Sequence, residues 1–103
     1  MLYKMILSTF PNRASAKTVA MFLVENKMAA CCQLSDVESI YNWKGKTERE
    51  FEIRLSVKTS AALVGKVVAK ILSSHTYEIP QIVITDFETT EKFGSWIDSS
   101  VKA

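Results

Sequence analysis

Hydrophobic and polar positions follow two different periods along this chain, and the changes of period mark its elements. Residues 2–10 are mostly apolar and rich in strand formers, and Pro11-Asn12 then predicts a turn. From Arg13 to Met28 the apolar positions recur at helical spacing, with Asn12 as a candidate N-cap. The side of this helix expected to face the core carries Ala16, Val19, Ala20, Leu23 and Lys27.

The middle of the chain predicts a long β-hairpin. Residues 30–43 return to strand-like character, and Lys44-Gly45-Lys46 predicts a tight turn. The second arm has strict period two: Phe51, Ile53, Leu55 and Val57 alternate with Glu52, Arg54, Ser56 and Lys58. Each arm is about a dozen residues long, against a usual strand of roughly 5–6, so the hairpin is expected to overhang a small domain.

Two further helices and one strand follow. Ser60 to His75 has helical spacing of apolar residues, and Ser60 is a candidate cap. Residues 78–87 predict a last strand with its apolar centre at 82–84. Residues 90–101 predict a terminal helix whose expected buried residues are Phe93, Trp96, Ile97 and Val101.

This order, β-α-β-β-α-β plus a terminal helix, predicts an α+β ferredoxin-like sandwich with a four-stranded antiparallel sheet, as a single domain over residues 1–103. Right-handed crossovers place the first two helices on one face of the sheet. The other face is expected to carry Cys31, Gln33, Glu52, Arg54, Ser56 and Lys58. Such a face is either solvated or covered by another subunit, and the overhanging hairpin favours a homo-oligomer.

Composition narrows the partners and the compartment. The 13 basic and 11 acidic residues give a net charge of +2 and are interspersed, which argues against nucleic acid. No apolar run is long enough to span a membrane, and Met1 to Phe10 lacks the pattern of a signal peptide. The only two cysteines, Cys31 and Cys32, are adjacent, so a disulfide between them cannot cross-link distant elements. A cytoplasmic protein is therefore expected.

Two side chains have the chemistry of metal ligands. His75, the only histidine, either closes the end of the second helix or contacts a ligand or metal. Cys31 and Cys32 point to opposite faces of their strand; Cys32 is expected in the core and Cys31 on the polar side. One histidine and one cysteine fall short of a zinc site, so metal binding requires several subunits, with copper as the first candidate.

A shallow ligand cleft is the other candidate site. Tyr41 and Trp43 stand near the hairpin tip, where they either cover a neighbouring subunit or line a cleft. Lys58 and Glu78 are the charged residues expected to serve such a cleft. No phosphate loop, HExxH or CxxC motif occurs, and no acid–base pair follows from spacing, so an enzyme is not expected.

Taken together, these segments resemble the CutA divalent-cation-tolerance family over nearly the whole chain. The matching segments are Ser8-Thr9-Phe10-Pro11-Asn12, Lys27-Met28-Ala29-Ala30-Cys31, the hairpin run 39–46, Val57-Lys58-Thr59, His75-Thr76-Tyr77-Glu78-Ile79-Pro80 and Trp96-Ile97. The sequence departs from the family pattern at Thr76, where a proline is usual, and at Gln81, where a glutamate is usual.

The resemblance implies a homotrimer with strands pairing between chains and a role in tolerance of divalent metals, copper most often. It places the shared residues near clefts between subunits; they are Cys31, Tyr41, Trp43, Lys58, His75, Tyr77, Glu78 and Trp96. A similar fold in the PII signal proteins implies a small anionic ligand instead. Three functions follow as hypotheses: a metal-responsive binding protein, a small-ligand signalling module, or an assembly scaffold.

Overall fold

The computed structural model describes residues 2–103, and Met1 lies outside the described residues. Within 2–103 the chain has four strands, three α-helices and one 3₁₀ turn. In chain order they are β1 (Leu2–Phe10), α1 (Arg13–Glu25), β2 (Cys31–Trp43), β3 (Lys46–Thr59), the 3₁₀ turn (Ala61–Leu63), α2 (Val64–Ser74), β4 (Val83–Glu88) and α3 (Glu91–Ser100).

The strands pair antiparallel in the order β2-β3-β1-β4. This confirms the predicted α+β ferredoxin-like arrangement, because each crossover helix connects two strands that are consecutive in the chain but separated by one strand in the sheet. The main core lies between the sheet and helices α1 and α2. Its buried residues are Ile6, Phe10, Ala16, Val19, Ala20, Leu23, Ala29, Ile53, Leu55, Val57, Val67 and Ile71.

Helix α1 begins as predicted but ends earlier. The side chain of Asn12 accepts a hydrogen bond from the Ser15 backbone N–H at 2.9 Å, which confirms the N-cap. The helix stops at Glu25, and Lys27 has a φ of 57°. The prediction that Lys27 lies on the buried side is wrong, since a left-handed residue after the helix turns the chain towards β2 and leaves this side chain exposed.

The second helical segment starts with the 3₁₀ turn instead of a side-chain cap. Leu63 N–H donates to the Ser60 carbonyl at 3.1 Å, and the Ser60 side chain makes no capping hydrogen bond. The predicted Ser60 cap is therefore wrong, because the tighter turn satisfies this end through the backbone. Helix α2 ends at Ser74, and β4 begins only at Val83, so the segment 75–82 between them is irregular.

Helix α3 packs on the face of the sheet opposite to α1 and α2. Tyr3, which points away from the Ile6 side of β1, clusters with the fully buried Ile97. Helix α3 comes closest to Tyr3 at Gly94, where an added Cβ would lie 2.7 Å from the Tyr3 hydroxyl. The predicted burial of Trp96 is wrong: it is 45% exposed, because it stands about 100° around the helix from Ile97.

The hairpin turn consists of Lys44 and Gly45, whose φ values are 51° and 78°. Positive φ at both positions matches the twist of the flanking strands, as in type I′ turns. Strand β3 pairs with β1 only from Ile53 to Thr59. Residues 37–43 and 46–52 therefore form a two-stranded hairpin ribbon beyond the sheet, and the molecule measures 45 × 23 × 21 Å.

Candidate functional site

A cavity of about 560 Å³ opens between the hairpin ribbon and the irregular segment 77–81; we call it the ribbon cavity. Its lining residues are Thr9, Ser39, Ile40, Tyr41, Trp43, Glu50, Glu52, Tyr77, Glu78, Ile79 and Gln81. This volume lies within the range of roughly 300–1,000 Å³ that is usual for small-molecule sites. The cavity combines three aromatic rings with three carboxylates, a lining suited to binding a ligand of mixed polarity.

The hairpin register determines which side chains meet at the cavity. Ser39 pairs with Glu50, and Tyr41 pairs with Glu48. Residues two apart in a strand face the same side, so Glu48, Glu50 and Glu52 project in a row next to Tyr41. Successive members of the row are roughly 7 Å apart along β3, from two rises of about 3.4 Å.

Glu52 is the most enclosed carboxylate of the row. It is only 8% exposed, and Tyr77 donates from its hydroxyl to Glu52 Oε2 at 2.7 Å. The sequence left open whether the polar sheet face that carries Glu52 is solvated or covered by another subunit; within one chain, Tyr77 from the 75–82 segment covers this residue. The bond joins the ribbon to that segment and so closes one side of the cavity.

The tyrosines of the cavity hold their protons more tightly than usual. Burial raises the pKa of Tyr77, and its hydrogen bond to Glu52 and the charges of Glu52 and Glu50 raise it further. The pKa of Tyr41 is raised by partial burial, by its hydrogen bond to Glu50 and by the nearby glutamates. Both phenols are therefore neutral hydrogen-bond donors near pH 7, and the negative charge of the cavity resides on its carboxylates.

His75 orients the Tyr77 segment. Its Nε2 lies 2.7 Å from the Thr9 carbonyl, and its Nδ1 lies 3.4 Å from the Tyr77 backbone N–H. Because a carbonyl only accepts, Nε2 carries the hydrogen and Nδ1 is the acceptor. The ring also stacks on Phe10 with centroids 4.4 Å apart and planes at 15°. Both ring nitrogens thus have partners within the chain, and these are Thr9 and Tyr77 and not the carbonyls at the end of α2 that one sequence-based alternative assigned to the ring. Contact of His75 with a ligand or metal, the other alternative, stays a prediction.

The two cysteines lie in different surroundings. Cys32 packs against the main core, as predicted, and burial raises the pKa of its thiol to about 12, with a further contribution from Cys31. Cys31 is half-buried on the other side of β2, where it pairs in register with Lys58.

Cys31 and His75 are not brought together within one chain. Lys58, the register partner of Cys31, pairs with Met5, whereas His75 contacts β1 at Thr9, about 13 Å further along the strand. Among residues 2–103 no group of three His, Cys, Asp or Glu side chains is placed to hold one metal ion.

The six residues expected at a ligand cleft divide into two groups. Tyr41, Trp43, Tyr77 and Glu78 line the ribbon cavity. Lys58 lies outside it and donates from Nζ to Gln33 Oε1 at 2.9 Å. Trp96 is on α3 and packs against Phe93, with ring centroids 5.4 Å apart.

Sequence reasoning missed the carboxylates Glu50 and Glu52 as part of the site. The signal was present in the alternating acidic positions of the second hairpin arm, which share one side of the strand. The contact between Glu52 and Tyr77 joins residues 25 positions apart, so local pattern did not reveal it.

The fold and the cavity define a ferredoxin-like α+β domain with an extended hairpin and a pocket beneath it. The model of the CutA1 divalent ion tolerance protein family matches residues 4–100. The chain belongs to this family. Within residues 2–103, none of the helices combines the length and apolar character needed to cross a bilayer.

Relatives of known name come from distant organisms. The chain is 35% identical over 94 residues to a probable divalent-cation tolerance protein of Encephalitozoon cuniculi, covering 90% of this chain and 82% of that protein. It is 37% identical over 81 residues to protein CutA of Mus musculus, covering 78% of this chain and 46% of that protein. The chain therefore spans about half the length of this mammalian relative.

Solved structures share the whole fold. The periplasmic divalent cation tolerance protein CutA of Archaeoglobus fulgidus superposes with a TM-score of 0.93 at 30% identity, covering 99% of this chain and 100% of that one. CutA1 of Thermus thermophilus gives 0.90 at 30% identity, with the same coverage.

Proposed function

We propose that this chain forms a homotrimeric CutA-like protein that binds a divalent metal such as copper and serves the response to metal ions, without catalysis. The observation that carries the proposal is the family match over residues 4–100, whose name refers to divalent ion tolerance. Relatives in Encephalitozoon cuniculi and Salmonella carry the name of divalent-cation tolerance proteins.

Exposed apolar groups support the assembly. Ile40 and Phe51 on the hairpin ribbon are 68% and 74% exposed. Strand β4 is an edge of the sheet, and Val83 and Ile84 on it are also exposed. Unpaired strand edges and exposed apolar side chains are features that proteins cover, and contact between copies of the chain covers both.

Cys31 supports a copper site shared between chains. Its half-buried thiol lies on the sheet face opposite to α1 and α2, and soft thiolate ligands suit copper. His75 already uses both ring nitrogens within the chain, so it contributes to metal binding only by giving up a bond to Thr9 or Tyr77. Cys31 is therefore the first ligand to test.

Calorimetric titration of the metal-free protein with Cu²⁺ tests the metal, and native mass spectrometry tests the trimer. We expect the Cys31→Ser variant to lose affinity, while Cys32→Ala, which changes the buried neighbouring thiol, retains it. Equal affinity in wild type, Cys31→Ser and His75→Ala would remove both residues from the site. A single folded species of 11.6 kDa would contradict the assembly.

The ribbon cavity favours a second candidate, a small-ligand signalling trimer of the kind that the likeness to PII proteins suggests. Its volume and its aromatic lining suit a small molecule. A screen of melting temperature with carboxylates, nucleotides and amines tests this function. No shift with any compound would contradict it.

We propose a cytoplasmic location because both cysteines are free, as expected in a reducing compartment. Named relatives include a chloroplastic protein and a periplasmic one, so the compartment varies in the family. Fractionation of the native cells, followed by detection with an antibody, tests the location. Recovery outside the cytoplasmic fraction would contradict it.

A further inference from the structure

We propose that the ribbon cavity binds an aliphatic diamine or polyamine, with its ammonium groups against Glu50 and Glu52 and its methylene chain against the aromatic rings. This inference rests on the second candidate function, the small-ligand module, and names its class of ligand. It is independent of the proposed copper site.

The charge of the lining selects a cation. The residues from 2–103 that line the cavity include Glu50, Glu52 and Glu78 and no lysine or arginine. In the same part of the chain, the ion pairs are Lys4–Asp86, Arg13–Asp36 and Arg49–Glu38, so none of the three glutamates is paired. An anionic ligand, which the likeness to PII proteins implied, would meet repulsion here.

Glu52 is the carboxylate of the cavity that is best placed to hold an ammonium group. It is more than nine-tenths buried and lines the cavity, and among residues 2–103 the Tyr77 hydroxyl is its one hydrogen-bond partner. A buried carboxylate is costly unless a cation or several donors compensate it, and one phenol supplies a single neutral donor. An ammonium group in the cavity would supply the remaining compensation.

Two basic residues flank the acidic row on the same side of β3. Lys46 faces Trp43 at the ribbon tip, and Arg54 pairs in register with Thr9. Neither lines the cavity, and neither lies within ion-pair distance of the row. Lys46 and Arg54 therefore stand at the two ends of the acidic row, and the negative charge of the carboxylates between them is not compensated.

The spacing of the carboxylates favours an extended cation over a metal ion. Glu50 and Glu52 are roughly 7 Å apart along β3, whereas metal–oxygen bonds are only about 2.0–2.6 Å long. The described residues also contain no group of three ligating side chains placed for one ion. A four- or five-carbon chain between two ammonium groups spans a separation of this size and reaches both carboxylates.

The aromatic rings suit the rest of such a ligand. Tyr41, Trp43 and Tyr77 line the same cavity, and ring faces attract ammonium groups and pack against methylenes. The Lys44 ammonium lies 5.6 Å from the Trp43 ring centroid, which shows that this ring attracts a cation of the chain itself.

Calorimetry with 1,5-diaminopentane tests the proposal on the full chain in its native assembly, at low ionic strength. The neutral 1,5-pentanediol, of the same length, is the control ligand. We expect the diamine to bind and the diol not to bind. Glu50→Gln and Glu52→Gln should each weaken binding about tenfold or more, the loss expected for one charge-assisted hydrogen bond.

Glu88→Gln is the matched control variant, because Glu88 is exposed at the end of β4 and away from the cavity. Glutamine at position 52 still accepts from Tyr77, so the Glu52→Gln fold is expected to persist, and a circular dichroism melt verifies this. Glu50→Gln provides the same test at a more exposed position.

Absence of binding by the diamine, or equal affinity in all variants, would overturn the proposal. A loss of assembly in Glu52→Gln, seen by native mass spectrometry, would also overturn it, since a neighbouring chain would then supply the cation. If the melting screen finds another ligand while the diamine does not bind, only the ligand class fails. If neither binds, the small-ligand function fails with it.

Discussion

The imidazole of His75 donates from Nε2 to the backbone carbonyl of Thr9 at 2.7 Å, at the end of β1 that β4 does not reach. Strand β4 pairs with β1 only as far as Leu7, so the ring occupies a position where the next strand would otherwise continue the sheet. Because Nδ1 of the same ring faces the Tyr77 N–H, one side chain connects the sheet edge to the wall of the ribbon cavity.

Two substitutions of His75 separate the stability that its hydrogen bonds contribute from the stability that its stacking on Phe10 contributes. The His75→Phe variant keeps a ring to stack on Phe10 but loses both hydrogen bonds, and we expect it to lower the free energy of unfolding by about 1–2 kcal/mol. His75→Ala loses the stacking as well and should cost more. Urea unfolding measures both, and equal stability of the two variants would contradict a role for the stacked ring.

Removal of the Tyr77 hydroxyl tests the bond that closes the cavity. Tyr77→Phe leaves the buried Glu52 carboxylate without its donor, and we expect a loss of about 1 kcal/mol or more. The Glu52→Ala and Tyr77→Phe double variant forms a mutant cycle with the two single variants, because alanine removes the acceptor that glutamine would keep. Strict additivity in that cycle would show that the two side chains do not interact.

Stability is expected to fall with pH from about pH 9 upwards because of Cys32. Its pKa rises from 9.0 to about 12 on folding, so between these values the unfolded state loses a proton that the folded state keeps. The stability is fully present below pH 9 and is lost as pH rises towards 12, with a slope approaching 1.4 kcal/mol per pH unit.

Chemical unfolding from pH 8 to about 9.5 measures the onset of this slope, mostly below the ordinary tyrosine pKa of 10.0 at which phenols of the unfolded chain titrate. Cys32→Ala should flatten it, and Cys31→Ala, which changes the neighbouring thiol, should leave it in place. An unchanged slope in Cys32→Ala would assign the effect to another group.

Gly94 and Gly65 are expected to respond oppositely to alanine, although both are in helices. A Cβ at Gly94 would lie 2.7 Å from the Tyr3 hydroxyl oxygen and 2.8 Å from a ring carbon, so Gly94→Ala should destabilise by about 1–3 kcal/mol. At Gly65 nothing lies within 4 Å, so Gly65→Ala should stabilise by roughly 0.5–1 kcal/mol. Thermal melting of the two variants compares them directly, and a stabilised Gly94→Ala would refute the close approach.

The sequence predicted those features that depend on local pattern. The alternation of Ile53, Leu55 and Val57 predicted which side of β3 packs on the core, and Gly45 predicted the position of the hairpin turn. Burial that depends on distant partners was missed: Glu52 is covered by Tyr77, and the side of α3 that is buried depends on its fit against Tyr3. Lys58 and Trp96 lie outside the cavity of one chain, and the prediction that they line a cleft between subunits stays a prediction.

The two-residue turn at Lys44 and Gly45 determines the chemistry of a pocket to which neither residue belongs. Side chains change sides at every step along a strand, so insertion of one residue in the turn that shifted β2 against β3 would exchange the two sides of β2. Strand β3 is held by its pairing with β1 from Ile53 to Thr59, so the acidic row would stay in the cavity while Tyr41 and Trp43 turned away from it. Loop length at the tip is therefore a point at which evolution or design can remove the aromatic wall of the pocket without substituting a residue in either strand.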